Sequence, residues 1–99
     1  MSTFQEIIKG EIPVLVDFHA DWCGPCKTMQ PILKVLKQKF GSKLKILKIN
    51  VDANPAVSEK FNVRGVPTFI LFSKGVESWR QSGIIEESNF ASIIENKIS

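Results

Sequence analysis

The chain has 99 residues, of which 43% are hydrophobic and 23% are charged, and its formal net charge is +3. This length predicts one domain over residues 1–99, with the composition of an ordinary globular protein. The lysines are spread along the whole sequence, which indicates solvated surface and no nucleic-acid-binding stripe. No apolar run approaches the ~20 residues that span a bilayer, and no signal peptide is visible at the N-terminus. We therefore expect a cytoplasmic protein that does not bind membranes.

The first two predicted elements are a short helix and a buried strand. Apolar spacing predicts a helix over residues 2–9, with Thr3 and Glu6 as its capping box. The apolar run over residues 14–18 is interrupted only by Asp17, and such a run is typical of a strand that is buried on both faces. A carboxyl group inside this strand is expected to be buried and to favour its neutral form.

A long helix and a second strand follow. Residues 23–40 repeat apolar side chains every three or four positions, which predicts an amphipathic helix. Pro31 lies inside this helix and is expected to kink it, and Gly41 is expected to end it. Residues 44–51 are apolar and partly β-branched with interspersed lysines, and they predict a strand.

The remaining sequence predicts a short helix, a β-hairpin and a final helix. The short helix is predicted over residues 55–61, with Asn54 as its cap. The hairpin is predicted as strands over 68–72 and 76–81 joined by a turn over 73–75, and the final helix over 86–98. A β-α-β start implies parallel strands, and the hairpin adds antiparallel ones. We predict an α/β fold with a central mixed sheet of four to five strands and helices on both faces. The short N-terminal section leaves open whether a first edge strand is present.

Cys23 and Cys26 are the only cysteines, and several interpretations of the pair are open. A structural disulfide would close a loop of only four residues and contribute about 2 kcal/mol. A structural zinc site needs four ligands, and His19 is the only histidine available to add to the pair. Two inert buried cysteines are the simplest alternative.

The position of the pair at the start of a helix favours a redox couple. Residues three apart at a helix start lie about 5–6 Å from each other, which a disulfide can bridge. The free N–H groups of the helix N-terminus favour a thiolate at Cys23. Cys26 lies one turn further along, and we expect it to be the more buried thiol and to act as the resolving one.

Three stretches of the sequence resemble the thioredoxin family. They are VLVDFHADWCGPCK, LKINVDANP and VRGVPTFILFSKG, within a similarity that covers about residues 12–83. A Trp-Cys-Gly-Pro-Cys-Lys motif with a downstream Gly-Val-Pro-Thr is far more specific than a Cys-x-x-Cys pair alone. The resemblance implies the thioredoxin fold and a thiol–disulfide oxidoreductase that reduces disulfides in protein substrates. It also implies a monomer that is re-reduced by a flavin-containing thioredoxin reductase at the expense of NADPH, with no bound cofactor besides the disulfide and no metal.

The resemblance assigns roles to four residues of the redox site. Cys23 is similar to the attacking thiol of the family, and Cys26 to the resolving thiol. Asp17 is similar to the buried acid that exchanges a proton with Cys26. Lys48 is similar to the lysine that tunes this acid.

Further residues are similar to those that shape the family's site and dock its substrates. Gly24 and Pro25 separate the cysteines, and Pro67 is similar to the proline that follows a cis peptide bond and faces the disulfide. An apolar docking rim, defined as Trp22, Gly65, Val66, Gly83 and Ile84, is expected around the pair. The Trp22 indole is expected to bond Asp52.

The sequence departs from the family at His19, where many thioredoxins have tryptophan. We expect this histidine to pack or to form a hydrogen bond, and an electrostatic effect on the thiols remains open. Two alternative functions also remain open at this point. They are a disulfide oxidase or isomerase of the same fold, and a binding subunit.

Overall fold

The structure is a computed structural model that describes residues 3–98. Its helices and strands occur in the predicted order. They are α1 Phe4–Ile8, β1 Val14–His19, α2 Gly24–Phe40, β2 Lys45–Asn50, α3 Pro55–Lys60, β3 Thr68–Ser73, β4 Val76–Ser82 and α4 Glu87–Ile98. A short 3-10 turn over Gly41–Lys43 joins α2 to β2. Within residues 3–98, none of the helices is long and apolar enough to cross a membrane.

The four strands form a mixed sheet in the order β2-β1-β3-β4. β1 and β2 are parallel and the β3–β4 hairpin is antiparallel, as predicted, and β1 also pairs with β3 in the antiparallel direction. The described residues include no strand before β1, so the sheet has four of the four to five strands predicted, and β2 lies at one edge of it.

Helices cover both faces of the sheet because successive side chains of β1 point in opposite directions. Val14, Val16 and Phe18 pack with residues of α1 and α3 in one apolar cluster. Leu15 belongs to the other cluster, which includes the buried stripes of α2 and α4. The carboxyl group of Asp17 shares the side of the strand with Leu15. The strand is buried on both faces, as predicted.

The ends of the two short helices are set by different contacts. The Thr3 hydroxyl accepts a hydrogen bond of 3.2 Å from the Glu6 amide, so the predicted cap of α1 is confirmed, although Ser2 lies outside the described residues. Asn54 occupies the cap position of α3, but its side chain makes no capping bond there. Its side-chain amide nitrogen donates instead to the carbonyl oxygen of Asn50 at 3.0 Å, so Asn54 is the cap residue as predicted but does not cap the helix through its side chain.

Turns place the long helix and the hairpin. α2 continues through Pro31, and it ends at Gly41, whose φ of 53° favours glycine. The β3–β4 turn also uses positive φ, at Lys74 with 52° and at Gly75 with 86°. Two central residues of this kind are typical of a tight two-residue hairpin.

Candidate functional site

Cys23 and Cys26 lie at the N-terminus of α2, just beyond the carboxyl end of β1. They form a disulfide, with their Cα atoms 5.3 Å apart. Cys23 is the N-cap of α2, and its sulfur accepts a hydrogen bond of 3.1 Å from the Cys26 amide. The same amide can stabilise a thiolate at Cys23 once the disulfide is reduced, because a helix N-terminus favours negative charge.

The prediction that Cys26 is the more buried cysteine is wrong for the disulfide form. Each of the two residues is 3% exposed. Hydrogen bonding distinguishes the two residues, since the bond from a helix amide falls on the sulfur of Cys23. The tight turn through Gly24 and Pro25, both exposed, lets the two side chains meet with the helix start intact.

Asp17 is 1% exposed, and both of its carboxyl oxygens lack a hydrogen-bond partner among residues 3–98. Burial raises the pKa of this carboxyl group above its ordinary value, because the charged form loses its hydration. The positive charges of His19 and Lys48 and the nearby Gln30 amide lower the pKa of Asp17, but they offset only part of the effect of burial. Asp17 is thus a buried acid that can hold a proton at a higher pH than a surface aspartate.

Lys48 is the register partner of Asp17 on the neighbouring strand β2. Its ammonium group is hydrogen-bonded to the side-chain oxygen of Gln30, and it forms no ion pair with Asp17 in the described part of the chain. The amide nitrogen of Gln30 donates to the Cys26 carbonyl oxygen at 3.3 Å. Gln30 belongs to α2 and therefore connects Lys48 to the helix that carries Cys26.

Gln30 is the residue of this site that the sequence did not identify. It lies four positions after Cys26, which places both residues on the same side of α2. That spacing was the available signal, but a polar residue beside the apolar stripe of a helix is usually read as surface. Only the parallel pairing of β1 with β2 shows that Lys48 lies within its reach.

His19 lies at the end of β1, two positions after Asp17 and therefore on the same side of the strand. It lines a cleft of about 450 Å³ together with Cys26, Gln30 and Lys48. The histidine is half-buried. A partly exposed imidazole therefore lies on the same side of β1 as the buried acid.

The docking-rim residues lie on the loops around the disulfide. Trp22 is 71% exposed, and its indole N–H donates to Asp52 at 2.9 Å, as predicted. Ile84 is 56% exposed and follows Gly83, whose N–H donates to the Pro67 carbonyl oxygen at 2.9 Å. These contacts fix the rim loops and leave apolar groups open to solvent.

The loop before β3 contributes the other rim residues. The Val66–Pro67 peptide bond is cis, as the resemblance implied. Gly65 and Val66 line a small cleft together with Trp22. The hydroxyl of Thr68 donates to the Gly65 carbonyl oxygen at 2.6 Å and thereby holds the loop against the start of β3.

Metal ligation finds no support in the arrangement of side chains. Across residues 3–98, no group of three or more histidine, cysteine, aspartate or glutamate side chains is arranged to hold a metal ion. Two of the donors considered above, Cys23 and Cys26, are bonded to each other.

Comparison with known proteins gives a consistent result. The family model described as Thioredoxin matches residues 1–96. A thioredoxin of Rickettsia bellii is 37% identical over 94 residues, which cover 95% of this chain and 90% of the relative. A thioredoxin of Pseudomonas aeruginosa is 38% identical over 94 residues, covering 95% of this chain and 87% of the relative.

A solved structure supports the same conclusion. A mutant thioredoxin from Halobacterium salinarum NRC-1 superposes with a TM-score of 0.87 at 34% identity, covering 96% of this chain and 82% of that one. The four-stranded mixed sheet with helices on both faces is the thioredoxin fold. The chain belongs to the thioredoxin family, and its Cys23–Cys26 pair is the redox site of a protein-disulfide reductase.

Proposed function

We propose that Cys23 starts disulfide exchange and that Cys26 completes it. In the reduced protein the Cys23 thiolate attacks one sulfur of a substrate disulfide, whose S–S bond breaks, and the other substrate sulfur leaves as a thiolate. Cys26 then loses its proton and attacks the Cys23 sulfur of the mixed disulfide. This forms the Cys23–Cys26 bond and releases the second substrate thiolate. The substrate gains two electrons and the cysteine pair loses two.

Asp17 is proposed to accept the proton that Cys26 loses. Two observations support this role. Burial raises the pKa of the Asp17 carboxyl group, and the group lies on the side of β1 that faces α2. Lys48 and Gln30 are proposed to position Asp17 and Cys26 relative to each other, because Lys48 is hydrogen-bonded to Gln30 and Gln30 donates to the Cys26 carbonyl oxygen. The proton is proposed to reach solvent through the cleft that Cys26 and His19 line.

Protein substrates are proposed to dock on the rim around the disulfide. Exposed apolar side chains of Trp22 and Ile84 favour an apolar, extended substrate segment. Val66 lies beside Pro67, which has no N–H, and its backbone groups are proposed to pair with the substrate as an added strand.

The wider assignment follows from the chemistry of the couple. A disulfide reductase needs a source of two electrons, and we propose a flavin-containing thioredoxin reductase that takes them from NADPH. It also needs a compartment in which thiols stay reduced, so we propose a cytoplasmic protein that acts as a monomer of one domain. No bound cofactor other than the redox disulfide and no metal is part of this proposal.

The observation that carries the proposal is the Cys23–Cys26 disulfide with the Cys26 amide bonded to the Cys23 sulfur. The test is the equilibrium redox potential of the pair against glutathione, together with reduction of insulin. We expect a potential near the value of about −270 mV known for thioredoxin. A potential near the value of about −120 mV that is typical of a strong oxidase would replace the reductase assignment with an oxidase one.

A further inference from the structure

One edge of the sheet, formed by β2, has backbone groups that point away from the rest of the protein. The amides of Lys45 and Val51 donate to carbonyl oxygens on the β1 side, at 2.9 Å to Pro13 and 2.8 Å to His19. Backbone groups alternate in direction along a strand, so the N–H and C=O groups of Ile46 and Lys48 point to the outer side. No strand pairs with that side within residues 3–98.

A groove of about 640 Å³ runs beside this edge, between β2 and α2. Its apolar lining includes Pro31 and Leu33 of α2 and Ile46 of β2. Three lysines, Lys34, Lys37 and Lys48, also line it, and no acidic side chain does. We name this region the basic groove. It joins apolar surface, positive charge and open backbone groups in one place.

The charges of the basic groove are not neutralised by the protein itself. None of its three lysines forms an ion pair in the described range 3–98. The ammonium group of Lys37 donates to the carbonyl oxygens of Gly41 and Leu44. These acceptors carry no charge, so no negative group balances the positive charge of Lys37 there. A second copy of the chain added at β2 would bring the groove lysines of both copies close together, and like charges repel. The charge therefore favours an acidic partner.

We propose that β2 and the basic groove bind an extended acidic segment of another protein, which adds as a fifth strand to the sheet. Its alternate carboxylates would face the three lysines, and its backbone would pair with Ile46 and Lys48. This surface is separate from the docking rim, and the proposal does not depend on the reductase assignment. Lys48 belongs to both the basic groove and the redox site, so an occupant would contact the residue that is hydrogen-bonded to Gln30.

The first test asks whether binding depends on charge, and it uses a peptide of defined sequence as the probe. The probe is a capped, fluorescein-labelled octapeptide of alternating glutamate and valine, and binding is followed by fluorescence anisotropy. We expect saturable binding that weakens as salt is raised. Lys34→Glu should weaken it about fivefold or more, whereas the matched control Lys39→Glu, on the same helix but outside the groove, should have a smaller effect. Equal effects of the two variants, or equal binding of an octapeptide of lysine and valine, would overturn the proposal.

The second test asks whether the backbone of the probe pairs as a strand. Two versions of the peptide are N-methylated, one at the glutamates and the other at the valines. Only alternate amides of an added strand face β2, so one version should lose binding and the other should retain it. Equal binding of both versions would show that the peptide is attracted only by the positive charge of the surface. Displacement of the probe by single-stranded DNA of equal charge would show the same, and either result would overturn the proposal.

A protein variant completes the test. Ile46→Pro removes an outward N–H and leaves the pairing of β2 with β1 in place, and proline is tolerated at the open side of an edge strand. It should abolish peptide binding while insulin reduction continues, and circular dichroism should confirm the fold. Retained peptide binding by the folded variant would contradict strand addition. Self-association through β2, seen by sedimentation and removed by the same variant, would make a second copy the occupant and would also overturn the proposal.

Discussion

Residues 14–18 of β1 are buried on both sides of the strand, but the two sides differ in chemistry. On one side Val14, Val16 and Phe18 pack against α1 and α3 and have no polar atoms in their side chains. On the other side Leu15 is followed by Asp17, which is 1% exposed and has no hydrogen-bond partner for its carboxyl group among residues 3–98. A single strand thus presents an apolar side and a side that carries a titratable group.

The difference shows how a small domain can separate stability from chemistry. Burial of the apolar side stabilises the fold at any pH, because no group there titrates. Burial of Asp17 lowers the free energy of unfolding once the carboxyl group ionises, because burial raises the pKa of this group above its ordinary value. Substitutions on the two sides should therefore change different observables.

The largest expected effect is on the chemistry. Cys26→Ser removes the resolving thiol, so the mixed disulfide between Cys23 and the substrate should accumulate and multiple turnover of insulin should be abolished. Mass spectrometry of the trapped species measures the first result, and turbidity of reduced insulin measures the second. Cys23→Ser is the matched control and should trap nothing. Trapping by both variants, or by neither, would contradict the assignment of Cys23 as the attacking thiol.

The next effect is on stability and comes from the apolar side. Phe18→Ala should lower the free energy of unfolding by about 3–5 kcal/mol, because the ring is fully buried and leaves a cavity. The loss should be the same at pH 4 and pH 8. Denaturant melts at both pH values measure it, with Phe18→Leu as a control that should lose less. A loss that depends on pH would show that the two sides of β1 are coupled.

Much of this architecture could be predicted because it follows from local patterns. The apolar run of β1, the helical stripe of α2 and the Lys74–Gly75 turn each have a clear periodicity or composition, and the elements found match them within one or two residues at most ends. The motif around Cys23 is specific enough to indicate the family from the amino-acid sequence alone.

Features that depend on pairing between distant residues could not be predicted in the same way. The contact between Lys48 and Gln30 requires the register of β1 with β2 and the position of α2 above them. The open edge of β2 depends on which strands are present, and the side-chain role of Asn54 depends on a competing acceptor, the Asn50 carbonyl. Such contacts have no signature in the local sequence.

Asp17→Ala gives the third effect, on stability and rate together. The folded pKa of Asp17 lies above its unfolded value of about 3.9, so the native state binds the extra proton. Stability from this group is complete below the unfolded pKa and is lost as pH rises through the folded pKa. Removal of the carboxyl group should therefore stabilise the protein at pH 8 by about 1–3 kcal/mol, less the effect of a small cavity, and should change little at pH 4.

The same substitution should slow the reductase near neutral pH, because Cys26 loses its proton acceptor. Denaturant melts at the two pH values and insulin turnover measure both parts. Asp17→Asn is the control of matched volume, and it should likewise remove the pH dependence of stability. An alanine variant that is less stable at pH 8 and reduces insulin at the full rate would refute both the effect of burial and the proton-transfer role.

The smallest effect is expected from His19, which lies on the same side of β1 as Asp17 and lines the cleft beside Cys26. Its positive charge lowers the pKa of Asp17, so His19→Gln should raise the pH at which Asp17 ionises. Because His19 offsets only part of the effect of burial on Asp17, the pH profile of insulin reduction should move upward only slightly. The control is the same substitution in an Asp17→Asn background, where the shift should vanish because the responding group is gone. A shift that persists in that background would mean that His19 acts directly on the thiols, whereas no shift in the wild-type background would mean that it only packs.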